Sequence, residues 1–374
     1  MSSVPPPATP APGAVRSTRT REVRAGVAGR AHASDFTELK RRIQAAGLLD
    51  RRPGWYLARC AALAGCYAAG FALLAALGHS WWQLLLAAGF GLLFTQTAFL
   101  AHDGAHRQVF TSGPANAAFA RLVANAVVGL SYGWWQHKHT RHHGNPNTAG
   151  KDDDIRPGAL VFTPDDAANR SGLRRRLMRR QGWFFFPLLL LAGLDLHRNA
   201  ILTVLTDRRM ERRGLEGALI AVRLVGFAAL VVLAAGPVIG VAFMGVQLAV
   251  FGFSMGSSFA PNHKGMVLIG AHERVDHLRR QVLTSRNISG PLLIRVGMGG
   301  LNYQIEHHLF PSMPSVNLRR ARPIVRAYCS ELGVPYTETS LLRSWAIVVQ
   351  YLNRVGLRHA DPFDCPAAAA FRTA

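Results

Sequence analysis

Four long apolar runs are the feature that most restricts the folds open to this chain. They lie near residues 56–77, 81–101, 217–236 and 238–258. A helix needs about 20 apolar residues to cross the hydrocarbon core of a bilayer. Lipid offers no partners to backbone N–H and C=O groups, so a spanning segment must be a helix or part of a closed barrel. The runs therefore predict an all-α integral membrane protein with four transmembrane helices in two hairpins.

The distribution of Lys and Arg predicts which side of the membrane each segment occupies. The chain of 374 residues has 43 Lys and Arg against 21 Asp and Glu, a formal net charge of +22 at pH 7. The turns inside the two hairpins, at 77–80 and 235–238, contain neither Lys nor Arg, whereas the other connections are strongly basic. Because cytoplasmic segments carry the excess of Lys and Arg, we expect both termini and the long middle segment in the cytoplasm.

The strongly basic composition has two explanations, nucleic-acid binding and attraction to a membrane surface. Basic proteins that bind DNA or RNA bring a basic helix, a zinc finger or an aromatic stacking motif, and none of these occurs in the sequence. Anionic headgroups of the cytoplasmic leaflet attract basic segments beside membrane spans, and the basic residues here flank the apolar runs. We therefore expect these basic residues to contact the lipid bilayer and not a nucleic acid.

Composition and periodicity predict the rest of the organisation. Residues 1–35 are rich in Pro, Ala, Ser, Thr and Arg and lack the apolar core of a signal peptide, which predicts a disordered basic tail. Residues 35–49 place apolar and charged positions at helical spacing, which predicts a short amphipathic helix that ends near Gly47. A single domain over 36–358 and a C-terminal tail over 359–374 complete the prediction.

Two further apolar stretches are predicted to lie at the membrane interface rather than to cross the bilayer. The stretch 114–133 carries the polar residues Asn116 and Arg121. The stretch 183–194 is shorter than a span requires and contains Pro187. Short or polar-interrupted apolar segments are typical of interfacial helices.

Three histidine clusters adjoin these apolar segments. Residues at i and i+3 or i+4 share a helical face, so each cluster can aim its imidazoles at one point. The predicted topology places all three on the cytoplasmic face, and imidazole suits iron, copper and zinc. Because the clusters hold more imidazoles than one zinc ion can use, they predict a two-metal site at a lipid boundary and oxidation of a lipid-soluble substrate. The clusters are His102 and His106; His139, His142 and His143; and His307 and His308, preceded by Gln304.

The histidine boxes resemble those of the membrane fatty acid desaturases. The boxes are HDGAH at 102–106, WWQHKHTRHH at 134–143 and GLNYQIEHHLFP at 300–311. The third box begins its Q-x-x-H-H pattern with Gln, as in bacterial acyl-lipid and acyl-CoA desaturases. The resemblance runs from about residue 37 to residue 357 and includes GKDDDI at 150–155 and FAPNHKGM at 259–266.

The resemblance implies a set of ligands for two iron ions, held beneath a cytoplasmic helical cap. It adds His263, from the Asn-His pair after the fourth span, to the seven histidines of the boxes. Many relatives have histidine where this chain has Gln304. The carboxamide is a weak iron ligand, so Gln304 is expected as a ligand, a contact through water, or a hydrogen-bond donor to a ligand. The implied metal ligands are His102, His106, His139, His142, His143, His263, His307 and His308.

The other histidines near the boxes are predicted to lie outside the metal site. His137 precedes His139, the first histidine of the second cluster, by two residues. His272 and His277 follow FAPNHKGM in a polar stretch, and we expect them to be solvated. His79 belongs to an outer turn, on the side of the membrane away from every other candidate ligand.

Three carboxylates and four aromatic residues near the boxes have two interpretations each. The carboxylates of Asp103, Asp152 and Glu306 either orient ligand imidazoles or are exposed acidic groups. The aromatic residues are candidates for the walls of an acyl tunnel, with core packing as the alternative. They are Trp134, Trp135, Tyr303 and Phe310.

The resemblance implies a membrane enzyme that uses dioxygen and external electrons to introduce a cis double bond into a fatty acyl chain. The chain would be carried by coenzyme A or a lipid, in the bacterial cytoplasmic membrane. The sequence contains no His-Pro-Gly-Gly haem motif of a fused cytochrome b5 domain, no nucleotide-binding G-x-G-x-x-G and no cysteine set for an iron–sulfur cluster. A separate NAD(P)H-dependent reductase, with or without a ferredoxin, is therefore expected as electron donor.

Two alternatives stay open at the level of sequence. A lipid hydroxylase, a ketolase or an alkane monooxygenase would use the same di-iron scaffold. A histidine-lined metal transporter is a different class of protein, and it needs ligands near the middle of the bilayer. The histidine clusters here lie at the ends of predicted spans and in cytoplasmic segments, which favours an enzyme.

Overall fold

A computed structural model describes residues 35–357 of the chain, and those residues are predominantly helical. The predicted tails over 1–35 and 359–374 lie outside the described residues, apart from Asp35. The predicted all-α class is confirmed, with a single two-stranded parallel sheet among the described residues as the exception.

The predicted amphipathic helix near the N-terminus is present as α1, over 35–45. Leu39 and Ile43 are fully buried, one turn apart on the same face. The helix ends before Gly47, whose φ of +63° is in the left-handed region that favours glycine. This face packs against the segments that follow the last long helix, in one core cluster with Leu278 and Ile305.

Five helices of the described chain are long and apolar enough to cross a membrane. Four of them correspond to the predicted spans, with ends shifted by a few residues. The protein is therefore an integral membrane protein by helix length and composition. The five are α2 (Pro53–Leu77), α3 (Gln83–Ala105), α8 (Gln181–Thr206), α9 (Arg213–Ala235) and α10 (Pro237–His263).

Helix α8 corrects the prediction that the apolar stretch at 183–194 is too short to span. The helix continues through a polar segment to Thr206, for a total of 26 residues. Its buried face also continues, through Gly193, His197, Ala200 and Val204. A count of consecutive apolar residues stops at Asp195, whereas a helix continues wherever one face stays packed.

Helices α8 and α10 approach each other at a pair of glycines. A Cβ atom built on Gly252 would lie 2.2 Å from the backbone nitrogen of Gly193, and one built on Gly193 would lie 2.3 Å from the carbonyl oxygen of Leu248. Small residues let membrane helices bring their backbones into contact. The tips of the two predicted hairpins also meet, because His79 lies beside Gly236.

The remaining elements are shorter and surround the ends of α3 and α10. The strands β1 (Asn287–Ser289) and β2 (Glu338–Ser340) pair in parallel, with Asn287 opposite Glu338. The stretch at 114–133 forms a short helix and a π-helical segment (Val123–Val128), and it contains none of the five long helices. The short helices are α4 (Gly113–Leu122), α5 (Tyr132–Gly144), α6 (Pro164–Ala168), α7 (Gly172–Met178), α11 (His277–Leu283), α12 (Leu292–Gly297), α13 (Gln304–Leu309), α14 (Ser315–Glu331) and α15 (Leu341–Gly356).

Candidate metal centre

Four helices bring the histidine boxes to one place. His102 and His106 lie at the C-terminal end of α3, and His263 is the last residue of α10. The second box lies on α5, whose N-terminus is capped by the Ser131 hydroxyl accepting from the Trp134 N–H at 3.2 Å. The third box forms α13, which begins at Gln304.

The eight candidate histidines form two adjacent groups. In each group, one ring nitrogen of every member lies within 4.8 Å of those of the others. The groups adjoin each other, because the rings of His143 and His308 stack with centroids 4.2 Å apart. The five-histidine group contains His102, His106, His139, His143 and His307, and the three-histidine group contains His142, His263 and His308.

Hydrogen bonds to Nδ1 orient all three imidazoles of the three-histidine group. His142 Nδ1 lies 3.0 Å from Asp152 Oδ2, and His263 Nδ1 lies 3.0 Å from the carbonyl oxygen of Thr284. His308 Nδ1 lies 2.9 Å from Oε1 of Gln281. Each partner is an acceptor, so the ring proton resides on Nδ1 and the lone pair on Nε2 is available to a metal.

The facing nitrogens in this group cannot satisfy each other. Nε2 of His142 and Nε2 of His263 are 3.3 Å apart. Both carry lone pairs once Nδ1 holds the proton, so no hydrogen bond forms between them. A cation between the two nitrogens would turn this repulsion into coordination.

Several buried ring nitrogens in the two groups lack any hydrogen-bond partner. Buried polar atoms are nearly always hydrogen-bonded, and an unpaired one costs about 1–3 kcal/mol. Their concentration at one point fits a metal site better than it fits a packed core. The unpartnered atoms among the described residues include Nε2 of His102 and His308 and both ring nitrogens of His143 and His307.

Burial keeps three imidazoles of the five-histidine group in the form that binds metals. It lowers the pKa of His106, His139 and His307 well below the ordinary value, and the neighbouring imidazoles lower it further. Neutral imidazole is the metal-binding form. His142 differs: burial lowers the pKa of that histidine, but the charge and hydrogen bond of Asp152 together with the charge of Asp154 outweigh burial and raise the pKa.

The three acidic residues near the boxes are buried, so their interpretation as exposed carboxylates is wrong. Asp152 orients His142 and also accepts from the Asn147 N–H at 2.8 Å. Asp103 accepts from Ser315 Oγ at 2.7 Å and from Arg59 Nη1 at 3.0 Å.

Glu306 points away from the metal centre. It accepts from Asn287 Nδ2 at 2.7 Å and from the Tyr336 hydroxyl at 2.6 Å. Burial raises the pKa of the Glu306 carboxyl, which these two donors partly oppose. Its contacts tie α13 to strand β1 rather than orienting an imidazole.

Gln304 lies at the three-histidine group. The side chain is 2% exposed. Its amide nitrogen is 2.9 Å from Nε2 of His263, and its Oε1 accepts from Asn262 Nδ2 at 3.2 Å. The carboxamide therefore stands beside a candidate ligand nitrogen, at the edge of the group that has fewer histidines.

The histidines predicted to lie outside the site are not brought into either group. His79, His137, His272 and His277 are exposed. The buried His197 was not singled out from the sequence. Its two ring nitrogens lie 2.7 Å from the Gly193 carbonyl and 3.3 Å from the Val128 carbonyl, so it serves packing between helices.

A cavity of about 440 Å³ adjoins the metal centre. His142, His263 and Gln304 are part of its lining, and α8 and α10 supply apolar lining that includes Leu189 and Met255. Trp134 and Trp135 are part of the lining, as predicted for tunnel walls. Tyr303 and Phe310 instead pack in the core beneath α1 and α14. For these two residues the alternative interpretation, core packing, is the correct one.

The fold and the site define a membrane protein with a histidine-rich metal centre at the ends of its long helices. A family model described as fatty acid desaturase matches residues 79–340. The chain belongs to the fatty acid desaturase family, which confirms the family that the sequence indicated.

Curated relatives agree with the family. The chain is 31% identical over 283 residues to an acyl-lipid (9-3)-desaturase of Physcomitrium patens, covering 72% of this chain and 53% of the relative. It is 27% identical over 284 residues to an acyl-lipid (9-3)-desaturase of Borago officinalis, covering 72% and 63%. A Delta(8)-fatty-acid desaturase 2 of Arabidopsis thaliana is 27% identical over 347 residues, 88% and 77% of the two chains. The chain spans 53% and 63% of the length of the first two relatives.

Proposed function

We propose that this protein is a fatty acyl desaturase that uses dioxygen and external electrons to introduce a cis double bond into the acyl chain of an acyl-CoA or acyl-lipid. The observation that carries the proposal is the junction of an apolar cavity with two histidine groups. Two bound iron ions would supply the activation of dioxygen that removal of hydrogen from adjacent methylenes requires. The relatives named above are acyl-lipid and Delta(8) desaturases, which favours desaturation over hydroxylation on the same scaffold.

The ligand assignment follows the two groups. The five-histidine group would hold one iron. The three-histidine group would hold the other, with Gln304 beside it. The unpartnered ring nitrogens and the anchored Nδ1 atoms support this division. These ligands lie at the ends of helices, which disfavours a transporter with ligands in the middle of the bilayer.

The residues of this chain position the acyl chain and keep water from the reacting methylenes. Phe185 and Leu189 of α8 and Met255 and Phe259 of α10 line the cavity. An acyl chain between these helices gains apolar contact of about 0.8 kcal/mol per buried methylene. Its depth in the cavity decides which carbons face the metal centre, because reaction requires close and aligned atoms.

The lining of the cavity includes two lysines. Lys138 Nζ pairs with Asp154 Oδ1 at 2.6 Å, and Lys264 Nζ donates to the Asp154 carbonyl at 2.9 Å. Both lysines line the cavity together with the histidines. Such polar groups suit the carbonyl and carrier of an acyl substrate whose tail lies among the apolar residues.

We infer that four of the five long helices cross the bilayer and that α8 lies across α10 on the cytoplasmic side. At its start, α8 is bonded to α15, because Gln181 Nε2 donates to the Leu352 carbonyl at 2.8 Å. At its end, Val204 packs beside Gly217 in the first turns of α9. Those first turns contact the histidine helix, since Glu216 accepts from Ser131 at 2.7 Å. The end of α8 thus lies near the start of the histidine helix α5, and its start is joined to α15, whose Ser344 Oγ donates to the Pro261 carbonyl, two residues before His263, at 2.8 Å.

This arrangement keeps the predicted four-span topology of two hairpins with a cytoplasmic helical cap. Both termini and the metal centre would then be cytoplasmic, in a bacterial cytoplasmic membrane. The desaturase domain would occupy residues 36–358. Electrons would come from a separate NAD(P)H-dependent reductase, directly or through a ferredoxin, and the basic face would dock an acidic donor.

Expression in a host with a known lipid profile tests the proposed function. Gas chromatography with double-bond mapping should show a new unsaturated acyl chain. A His142→Ala/His143→Ala variant should abolish it, whereas His137→Ala should retain it, because His137 is an exposed histidine of the same helix. An alcohol product in place of the double bond would favour a hydroxylase, and unchanged lipids would count against both enzymes.

A further inference from the structure

A second cavity lies on another face of α8. It has a volume of about 470 Å³. We call it the basic cleft, because two arginines share its lining with apolar side chains. Its main lining residues are Arg170, Arg174, Leu160, Leu177, Phe184 and Leu188.

A short strap of chain separates the basic cleft from the metal-centre cavity. Leu160 lines the basic cleft, whereas Phe162 lines the other cavity. Val161 between them is fully buried. Gln181 holds it in place, since its Oε1 accepts from the Val161 N–H at 3.0 Å and its Nε2 donates to the Val161 carbonyl at 2.9 Å. A ligand in the basic cleft is therefore not the acyl chain that reaches the histidines.

The arginines around the cleft form a concentrated positive charge. Arg170, Arg174–Arg176, Arg179 and Arg180 lie within 11 residues. The ion pairs between described residues include none formed by Arg174, Arg175 or Arg176. Planar guanidinium groups bind phosphate with charge-assisted hydrogen bonds, so the cleft suits a phosphate group.

The other half of the cleft suits an acyl chain. Leu177 is 52% exposed and Phe184 is 46% exposed. Leu188 continues this apolar surface along α8 toward Leu191, which is 61% exposed. Contiguous exposed apolar side chains beside a membrane span are typical of contact with lipid.

We propose that the basic cleft binds one anionic phospholipid of the bilayer, with its phosphate at Arg170 and Arg174 and an acyl chain along Leu177, Phe184 and Leu188. The charge selects an anion, and the apolar surface that continues along α8 selects a lipid over a soluble phosphate. The site goes beyond the proposed function, since this lipid is a structural ligand rather than the substrate. It would stabilise the junction of α7 and α8, next to the strap that bounds the metal-centre cavity.

Lipid binding by the purified full-length protein in detergent tests the proposal without any measurement of activity. Phosphatidylglycerol should raise the thermal unfolding midpoint and remain bound in native mass spectrometry, and phosphatidylcholine with the same acyl chains should do neither. Arg174→Gln should weaken binding about tenfold or more, as expected when a hydrogen bond between charged groups is lost. Arg174 is exposed, so this variant should fold.

Arg175→Gln is the matched control, because it removes the same charge from the next residue of α7 without changing the lining of the cleft. It should bind phosphatidylglycerol like the unaltered protein. Equal losses in the two variants would show attraction to the charged surface alone and would overturn the site. Equal binding of phosphatidylcholine, or a comparable stabilisation by coenzyme A without lipid, would also overturn it.

Discussion

His142 and His263 are separated by 121 residues, yet their Nε2 atoms lie 3.3 Å apart at the metal centre. Each Nδ1 has its own acceptor, Asp152 for His142 and the Thr284 carbonyl for His263. The protein therefore fixes the tautomer of both rings without the metal. Such preorganisation lowers the cost of assembling a metal site.

Loss of the carboxylate behind His142 should weaken the centre without unfolding the protein. We expect Asp152→Asn to lower iron content or activity about 10–100-fold, the usual effect of removing a partner that orients a metal ligand. Iron per chain by mass spectrometry and product formation by gas chromatography measure the two effects. Asp153→Asn is the control, because Asp153 pairs with Arg141 and Arg156 instead of a histidine. Equal effects of both changes would contradict an orienting role for Asp152.

Removal of the Gln304 side chain should lower the activity of the enzyme more than the amount of bound iron. Its amide nitrogen lies 2.9 Å from Nε2 of His263, in a group whose histidines are anchored by other residues. We expect Gln304→Ala to keep most of the bound iron and to lose activity. The measurement is iron content and turnover on the same preparation. Full iron together with full activity would exclude a functional role for Gln304.

The buried ion pair of Arg121 and Glu216 should stabilise the start of the histidine helix α5. Glu216 accepts from Arg121 Nε at 3.1 Å and from Ser131 Oγ at 2.7 Å. Glu216→Ala leaves a buried guanidinium unpaired, which costs about 3–5 kcal/mol in the free energy of unfolding.

A double-mutant cycle with Arg121→Ala measures this coupling by chemical unfolding in detergent. The double variant should be less destabilised than the sum of the two single variants. Glu211→Ala, at an exposed acidic residue just before α9, should change stability little. Additive losses in the cycle would show that the pair is not coupled.

A methyl group added where α8 and α10 approach each other should lower the stability of the protein. A Cβ on Gly252 would lie 2.2 Å from the Gly193 nitrogen. We therefore expect Gly252→Ala to destabilise the protein by about 1–3 kcal/mol, as for other overpacked cores, and to alter the acyl cavity between these helices. Gly245→Ala on the same helix is the control, since nothing lies within 4 Å of its added Cβ. Equal shifts of the thermal unfolding midpoint in Gly252→Ala and Gly245→Ala would contradict this contact.

The proposed position of α8 predicts the accessibility of its two ends. With the native cysteines replaced, a single cysteine at Arg209, just beyond α8, should react with an impermeant maleimide only from the cytoplasmic side. A cysteine at His79, in the turn between α2 and α3, should react only from the outside. A cysteine before α8, at Arg176, should behave like the one at Arg209. If the cysteines of Arg176→Cys and Arg209→Cys reacted from opposite sides of the membrane, α8 would cross the bilayer.

The histidine boxes and the four predicted spans were accessible to sequence reasoning because both signals are local. An apolar run is recognised without its neighbours, and a spacing of three or four residues aligns His139, His142 and His143 on one helix. The length of α8 was not accessible in this way. Beyond Asp195 its helix depends on burial of His197 and Ala200 against other helices, which no local count of apolar residues detects.

The sequence by itself determined the membrane class, the family and the residues that form the two histidine groups. Only the tertiary structure decided how those residues are divided, five against three, and which partners hold their rings. Thr284 and Gln281 anchor His263 and His308, although neither lies near its histidine in sequence. Hydrogen bonds of this kind depend on distances between separate helices, and those distances are set by packing, such as the contact of Gly193 with Gly252, rather than by the spacing of residues along the chain.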